Sequence, residues 1–186
     1  MNLRPLLELD ARLSDRIRVA ERYSLLHRLM AFLAHSGDSW FWGAGLILVW
    51  WLGDAFWKRW ALALFVAIAL LAVIVMIIKL IVRRRRPEGE WGSIYRNTDP
   101  HSFPSGHAAR AFLIAVLVLG LGPAWLAVLL WVWAPLVALA RAALGVHYLS
   151  DVLAGALLGI LIGLLDLQLV PLFFDSLTRW LGRPLW

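Results

Sequence analysis

The chain contains no cysteine, which excludes disulfide staples and thiolate metal ligands without locating a compartment. Charge is scarce as well: 16% of the residues are charged against 62% hydrophobic. No long-period repeat and no low-complexity tract interrupts the sequence. No nucleic-acid module accompanies the basic charge, so nucleic acid is not read as a partner. The N-terminal stretch carries Arg4, Glu8, Asp10, Arg12, Asp15, Arg16 and Arg18 and lacks a continuous apolar core. It does not resemble a cleavable signal peptide, and insertion is expected to rely on the spans themselves.

What is present is apolar surface in excess of what one soluble core can hide. The 186 residues include twelve Trp and have a mean hydropathy of +0.76. A chain of this size cannot bury that much apolar area in a single globule. The reading is an all-α, polytopic transmembrane helical bundle forming one integral-membrane domain over residues 1–186, with about five spans and an N-terminal amphipathic or interfacial helix.

Residues 5–36 mix apolar and charged positions in a loosely helical rhythm and are predicted to lie in the membrane interface. The spans are predicted at about Ser39–Gly53, Trp60–Val82, Ser105–Leu121, Ala124–Leu144 and His147–Leu165, with Gly122-Pro123 as a helix break and Asp166 at the far interface. Trp50, Trp51, Trp57, Trp60 and Trp125 are predicted to form an aromatic belt near the face away from residues 83–103.

This order of spans brings three polar clusters to one membrane face: Lys79 with Arg86-Pro87, the stretch Pro104-Ser105-Gly106-His107, and Arg141 with His147 and Asp151. Arg83, Arg84, Arg85, Arg96 and Arg110 fall on the same side, against Lys58, Arg59, Arg179 and Arg183 opposite. The positive-inside rule makes that face cytoplasmic, in a prokaryotic plasma (inner) membrane. The net charge of +6 and pI near 10.7 then fit topology and anionic headgroups.

Within the clusters, Lys79, Arg83 and Arg86 follow i, i+4, i+7 spacing and would share a face of a continued helix, with Arg86 where that helix ends before Pro87. The amides opening a helix at Ser105 and Gly106 would make an anion site, and Gly106 permits close approach. Ser105 alone also reads as a helix cap. His107 stands at the mouth of the site, able to hold a proton near neutral pH. His147 and Asp151 are one helical turn apart, so the carboxylate can hold one ring nitrogen and leave the other to attack. Gly155, Gly159 and Gly163 continue the four-residue spacing as a small-residue face that a neighbouring helix can approach. Arg110 is open to two readings, a contact to a second phosphate or to headgroups, and Arg83 is grouped with it as a second-phosphate or entrance residue. Asp99 and Tyr95 are read as entrance or solvated loop positions. His27, His35 and His101 do not form a ligand cluster, so no metal and no cofactor is expected.

Taken together, Lys-x6-Arg-Pro, Pro-Ser-Gly-His and Arg-x5-His-x3-Asp over residues 79–151 resemble the signature of the type 2 phosphatidic acid phosphatase superfamily. One position departs: Ala140 stands where the family usually has Ser, which bears on rate or affinity more than on reaction type. The local wording of Arg83–Pro87, Phe103–Ala111 and Leu144–His147 is similar to the branch containing presqualene and polyisoprenoid diphosphate phosphatases. The resemblance implies metal-free phosphoryl transfer from a lipid phosphate. Lys79, Arg86, Arg141 and the amides around Ser105 and Gly106 would bind phosphate. His147 would attack, Asp151 would support its cationic form, and His107 would protonate the leaving oxygen and later activate water. Phosphatidic acid, phosphatidylglycerol phosphate and transfer to another lipid stay open, as does a non-catalytic scaffold or lipid carrier. The partners are the lipid substrate and membrane lipids, with the oligomeric state not fixed.

Overall fold

The computed structural model of the chain describes residues 4–18, 24–88, 99–182 and 184. Seven helices are present among them: α1 (Arg4–Ile17), α2 (Ser24–Ser36), α3 (Ser39–Leu52), α4 (Ala55–Val82), α5 (Gly106–Leu121), α6 (Ala124–Ala143) and α7 (Leu149–Leu181). Three of them, α4, α6 and α7, are long and apolar enough to cross a membrane, and α3 and α5 are shorter apolar helices.

Helix boundaries follow local chemistry. Asp54 caps α4 by accepting the Trp57 N–H at 3.2 Å. At its other end Arg83 turns left-handed, with φ 51°, and the helix stops there. Between α5 and α6, Gly122 and Pro123 break the chain as expected. Asp151, three residues into α7, accepts the Tyr148 N–H at 2.9 Å, satisfying one of the amides orphaned at a helix start.

Two expectations need correction here. The segment 5–36 is two helices, and each is anchored on the bundle. Asp10 and Ser14 of α1 accept the Ser150 and Leu149 amides at 3.0 and 2.8 Å. Ala34 of α2 is buried with Ala140, Leu144 and Val146. The last helix also runs past Asp166 to Leu181. One carboxyl costs a helix little, and the stop comes at Gly182, which takes the left-handed conformation with φ 69°. The aromatic belt holds only in part: Trp51 and Trp125 are exposed, whereas Trp60 is buried in the core.

The central element is α5. Ala108, Ala109, Leu113, Ile114, Leu117 and Val118 are all inaccessible, enclosed by α4, α6 and α7. Lipid tails are as apolar as leucine, so this bundle is held by close packing and internal hydrogen bonds more than by water exclusion. The outer faces remain apolar, with Leu153, Leu157, Leu161 and Leu164 of α7 exposed. Antiparallel succession brings the C-termini of α4 and α6 and the N-termini of α5 and α7 to one end. There the segment after α4 pairs with the segment before α5: Ser102 N–H donates to the Arg84 carbonyl at 2.8 Å, and Arg85 bridges His101.

Candidate active site

A cavity of about 490 Å³ opens at this end of the bundle. Lys79, Arg86, Arg141, His107 and His147 line it, together with Asp38, Asp99 and Arg110, and its other wall is apolar, with Ile68, Leu71, Val75 and Met76 from α4.

The cations reach it by separate routes. Lys79, buried on the last turns of α4, donates to Asp99 and, at 3.1 Å, to the His101 carbonyl. Arg86 lies beyond the helix and is almost fully tied down. Its Nε and Nη2 donate to the Asp99 carbonyl and carboxylate, each at 2.8 Å, and its Nη1 donates to the Val146 carbonyl at 2.8 Å. Arg141, 1% exposed, comes from the last turn of α6. Asp99 accepts from both Lys79 and Arg86, so a carboxylate sits between two of the cations assigned to phosphate.

His147 lies just ahead of α7 with its ring 1% exposed. Its Nε2 faces Arg86 Nη1 at 3.1 Å. Its Nδ1 is 3.6 Å from Asp151 Oδ2, an ion-pair contact slightly longer than the hydrogen bond read from the spacing, and that oxygen also accepts the Tyr148 amide. Burial, then the charges of Arg141, Arg86 and Lys79, hold the imidazole well below its usual pKa. It is neutral near pH 7, as a nitrogen nucleophile must be.

On α5, Gly106 and His107 face the cavity. Ser105 is fully buried at the N-cap position, but its side chain caps nothing, and its Oγ has no hydrogen-bond partner among the described residues. The Ser105 amide donates to the Asp151 carbonyl at 2.9 Å, which ties the start of α5 to the first turn of α7. His107 Nε2 bonds Asp38 Oδ1 at 2.7 Å.

Other expected positions fall elsewhere. Because α4 ends at Val82, Arg83 does not continue the Lys79 face; it is exposed and donates to its own helix at Leu80 O, 2.7 Å. Arg110 lines the cavity but spends its guanidinium on the Gly37 carbonyl (Nε, 2.7 Å) and on Ser39 Oγ, 2.5 Å. Tyr95 lies outside the described residues. Ala140 packs with Ala34, Leu144 and Val146, an apolar nest with no obvious use for a hydroxyl. No group of three His, Asp or Glu among the described residues is placed to hold a metal.

The superfamily model described as PAP2 superfamily matches residues 60–175. This chain belongs to the PAP2 superfamily. It is 31% identical over 150 residues to an undecaprenyl-diphosphatase of Sulfolobus acidocaldarius, covering 77% of this chain and 70% of that one. It is 33% identical over 134 residues to an Arabidopsis thaliana protein named "Probable lipid phosphate phosphatase beta", covering 56% and 62%. Among solved structures, LpxE of Aquifex aeolicus superposes with a TM-score of 0.67 at 30% identity, covering 87% of this chain and 94% of that one. Together with its apolar helices, this makes the chain an integral membrane protein built on the PAP2 helical bundle.

Three residues escaped the sequence reading: Arg84 and Asp38, which touch the cluster at Asp151 and His107, and Asp10, which reaches it through Arg84. Arg84, read there as a topogenic charge, donates to Asp151 Oδ1 at 2.8 Å and to Asp10 Oδ2 at 2.7 Å, and stacks 4.0 Å over the Tyr148 ring. Asp10 arrives from α1. Asp38 arrives from the turn between α2 and α3, where the run His35-Ser36-Gly37-Asp38 is the one sequence signal, a polar break before an apolar helix. Neither carboxylate lies within the residues that the superfamily model matches.

Proposed function

We propose that this PAP2 protein is a metal-independent membrane lipid phosphatase working through a phosphohistidine. The observation that carries the reading is His147: a buried, neutral imidazole whose Nε2 lies beside Arg86 in a cavity walled by cations on one side and by aliphatic side chains on the other. The aliphatic wall suits a lipid tail and the cations suit its phosphate.

Lys79, Arg86 and Arg141, with the amides of Gly106 and His107, hold the nonbridging oxygens. Arrival of phosphate at Lys79 and Arg86 requires Asp99 to yield its place. His147 Nε2 forms a bond to the terminal phosphorus as the bond from that phosphorus to its leaving oxygen breaks, the lipid's own oxygen in a monophosphate and the oxygen kept by the lipid monophosphate in a diphosphate. The electron pair leaves with that oxygen, which takes a proton from His107. The imidazolium character that develops on His147 is opposed by its cationic surroundings and favoured by Asp151. Water then adds to phosphorus as its proton passes to His107, the N–P bond breaks and inorganic phosphate leaves.

The preferred substrate is a polyisoprenyl diphosphate, supported by the local sequence wording and by the named activity of the archaeal relative. One observation favours a lipid monophosphate such as phosphatidic acid or phosphatidylglycerol phosphate: Arg83 points away and Arg110 is engaged by the α2–α3 turn. The deciding measurement is phosphate release by the detergent-purified protein in EDTA, from farnesyl diphosphate and from phosphatidic acid, with His147→Ala alongside. Expected is release that EDTA does not suppress, faster from the diphosphate, and lost by at least about 10³-fold in the variant. Wild-type turnover by His147→Ala would remove the mechanism, and no release from either lipid would restore the scaffold or carrier reading.

The bundle crosses the bilayer five times, through α3 to α7, with the site facing the cytoplasm of a prokaryotic inner membrane. Arg84 and Arg110 are held inside the protein, so the sidedness rests on Arg83 and Arg85 together with Arg12, Arg16 and Arg18 of the α1 segment, which docks at the same end. In this cysteine-free chain, Arg83→Cys is expected to escape a membrane-impermeant thiol reagent in whole cells. Labelling of intact cells would reverse the assignment.

A further inference from the structure

Asp38 stands at the N-cap of α3, where an aspartate ordinarily accepts an amide of the first helical turn. Here its side chain caps nothing. Its Oδ1 takes the His107 Nε2 contact at 2.7 Å, and its Oδ2 meets His35 Nδ1 at 3.1 Å and accepts Trp40 Nε1–H at 3.2 Å. The turn that carries it is fixed from three helices. Arg110 of α5 donates to the Gly37 carbonyl at 2.7 Å, Trp133 of α6 to Ser36 Oγ at 2.8 Å, and Trp42 of α3 to the Ser36 carbonyl at 3.0 Å. There is little slack, since a Cβ on Gly37 would stand 3.0 Å from Val137 Cγ1.

We infer that Asp38 is a positioning residue for His107: it accepts the Nε2–H, fixes the ring and its tautomer, and leaves Nδ1 to carry the proton exchanged with the substrate. The inference rests on the reading of His107 as the general acid and base. The imidazolium gives its Nδ1 proton to the leaving oxygen as the P–O bond breaks, and the ring stays neutral with Nε2–H on Asp38. In the second step Nδ1 takes the proton of the attacking water. The reaction thus has two histidines with two carboxylates behind them, Asp151 behind His147 and Asp38 behind His107, and the second carboxylate comes from outside the superfamily-matched residues 60–175.

Of the charges facing the ring, Asp38 favours its protonated form, and Arg141 and Arg110 oppose it. The groups around the His107 ring are Asp38 and, behind it, His35 from the α2–α3 turn; Arg110 one turn on along α5; Arg141 from α6; Lys79 from α4; and His147 across the cavity. Asp99 is held by Lys79 and Arg86, and among the described residues Asp38 is the carboxylate that touches the imidazole. Burial raises the Asp38 carboxyl, and hydrogen bonds from His107 and His35 outweigh it, leaving the group below the usual carboxylate range. It is ionised at every pH at which the enzyme would be assayed.

The test is the pH profile of phosphate release by the full-length, detergent-purified protein, from farnesyl diphosphate and phosphatidic acid, for wild type, Asp38→Asn, Asp38→Glu and His107→Gln. An ionised neighbour favours the protonated ring, so its removal lets the acid form disappear at lower pH. Expected for Asp38→Asn are a kcat lower by about 10–100-fold, KM within threefold of wild type, and an alkaline limb moved acidward by about one unit or more. Asp38→Glu keeps the charge with the oxygen displaced, so the limb stays while kcat falls. If the Asn variant does not fold, the Glu variant carries the test, and a limb that moves acidward there would overturn the inference. An unchanged Asp38→Asn profile beside an inactive His107→Gln would overturn the inference alone. An active His107→Gln would overturn it together with the acid–base reading on which it rests.

Discussion

On α3, a Cβ built at Gly43 or Gly45 would have nothing within 4 Å; on α7, one at Gly155 would stand 2.4 Å from the Ser105 carbonyl oxygen and one at Gly159 2.0 Å from that of Ala109. Both helices are apolar and both carry spaced glycines, yet they meet different neighbours. Around its glycines α3 is flanked by outward-facing Phe41, Ile47 and Leu48, where lipid tails fill whatever space a missing side chain leaves. By contrast α7 lies backbone against backbone on α5, and only hydrogen fits between them. The candidate active-site cluster hangs on that second contact, because Ser105, Gly106 and His107 begin one helix, Asp151 sits in the first turn of the other, and the Ser105 amide joins them. A glycine pattern alone does not say whether it makes a seam; what stands opposite does.

Substitution by alanine should separate the two regions. Gly159→Ala is expected to do the most harm: the obstacle is a backbone carbonyl that cannot rotate away, so α5 and α7 must part. The cost is about 3 kcal/mol or more, read as an unfolding midpoint in detergent lower by roughly 5–10 °C or as loss of the monodisperse peak. Next is Gly155→Ala, nearer the end of the seam, which pushes on Ser105. Here turnover should suffer more than stability, with kcat down about 10–100-fold from a displacement of under 1 Å at the phosphate amides. Gly43→Ala and Gly45→Ala should leave activity intact and stabilise by about 0.5–1 kcal/mol, the ordinary gain from replacing a helical glycine. Equal losses at Gly43 and Gly159 would break the comparison. A Gly155→Ala protein with full turnover would show that the phosphate cradle does not depend on the seam.

Much of the bundle was legible because apolar runs and their breakers act locally. Gly122-Pro123 ended one helix and began another where the sequence put the break, and Ser39 and Val82 are helix limits in both readings. The end of α7 was misjudged because a single Asp166 was given the weight of an interface, when a helix tolerates one carboxyl and stops at a residue that can turn left-handed. The site was legible in its clusters because lysine, arginine, histidine and aspartate are rare in lipid-like sequence. Arg83 was misplaced by extending a helical spacing beyond the helix that carried it. Arg84 was hidden in a run of four arginines whose members differ only in what each can reach.

By itself the sequence determined that this chain belongs in a bilayer, that its apolar runs form helices, and that three polar clusters meet at one end. Those facts follow from hydropathy, helix period and strand-free connectivity, which act over a few turns of chain. Only the tertiary structure decided which charges face the cavity, that Asp151 leans on Arg84 and the Tyr148 amide rather than hydrogen-bonding His147, and that Asp38 comes to His107 from 69 positions away in the chain. Contacts of that range depend on how closely α5 and α7 pack and on which way a turn is held, and no local pattern encodes either.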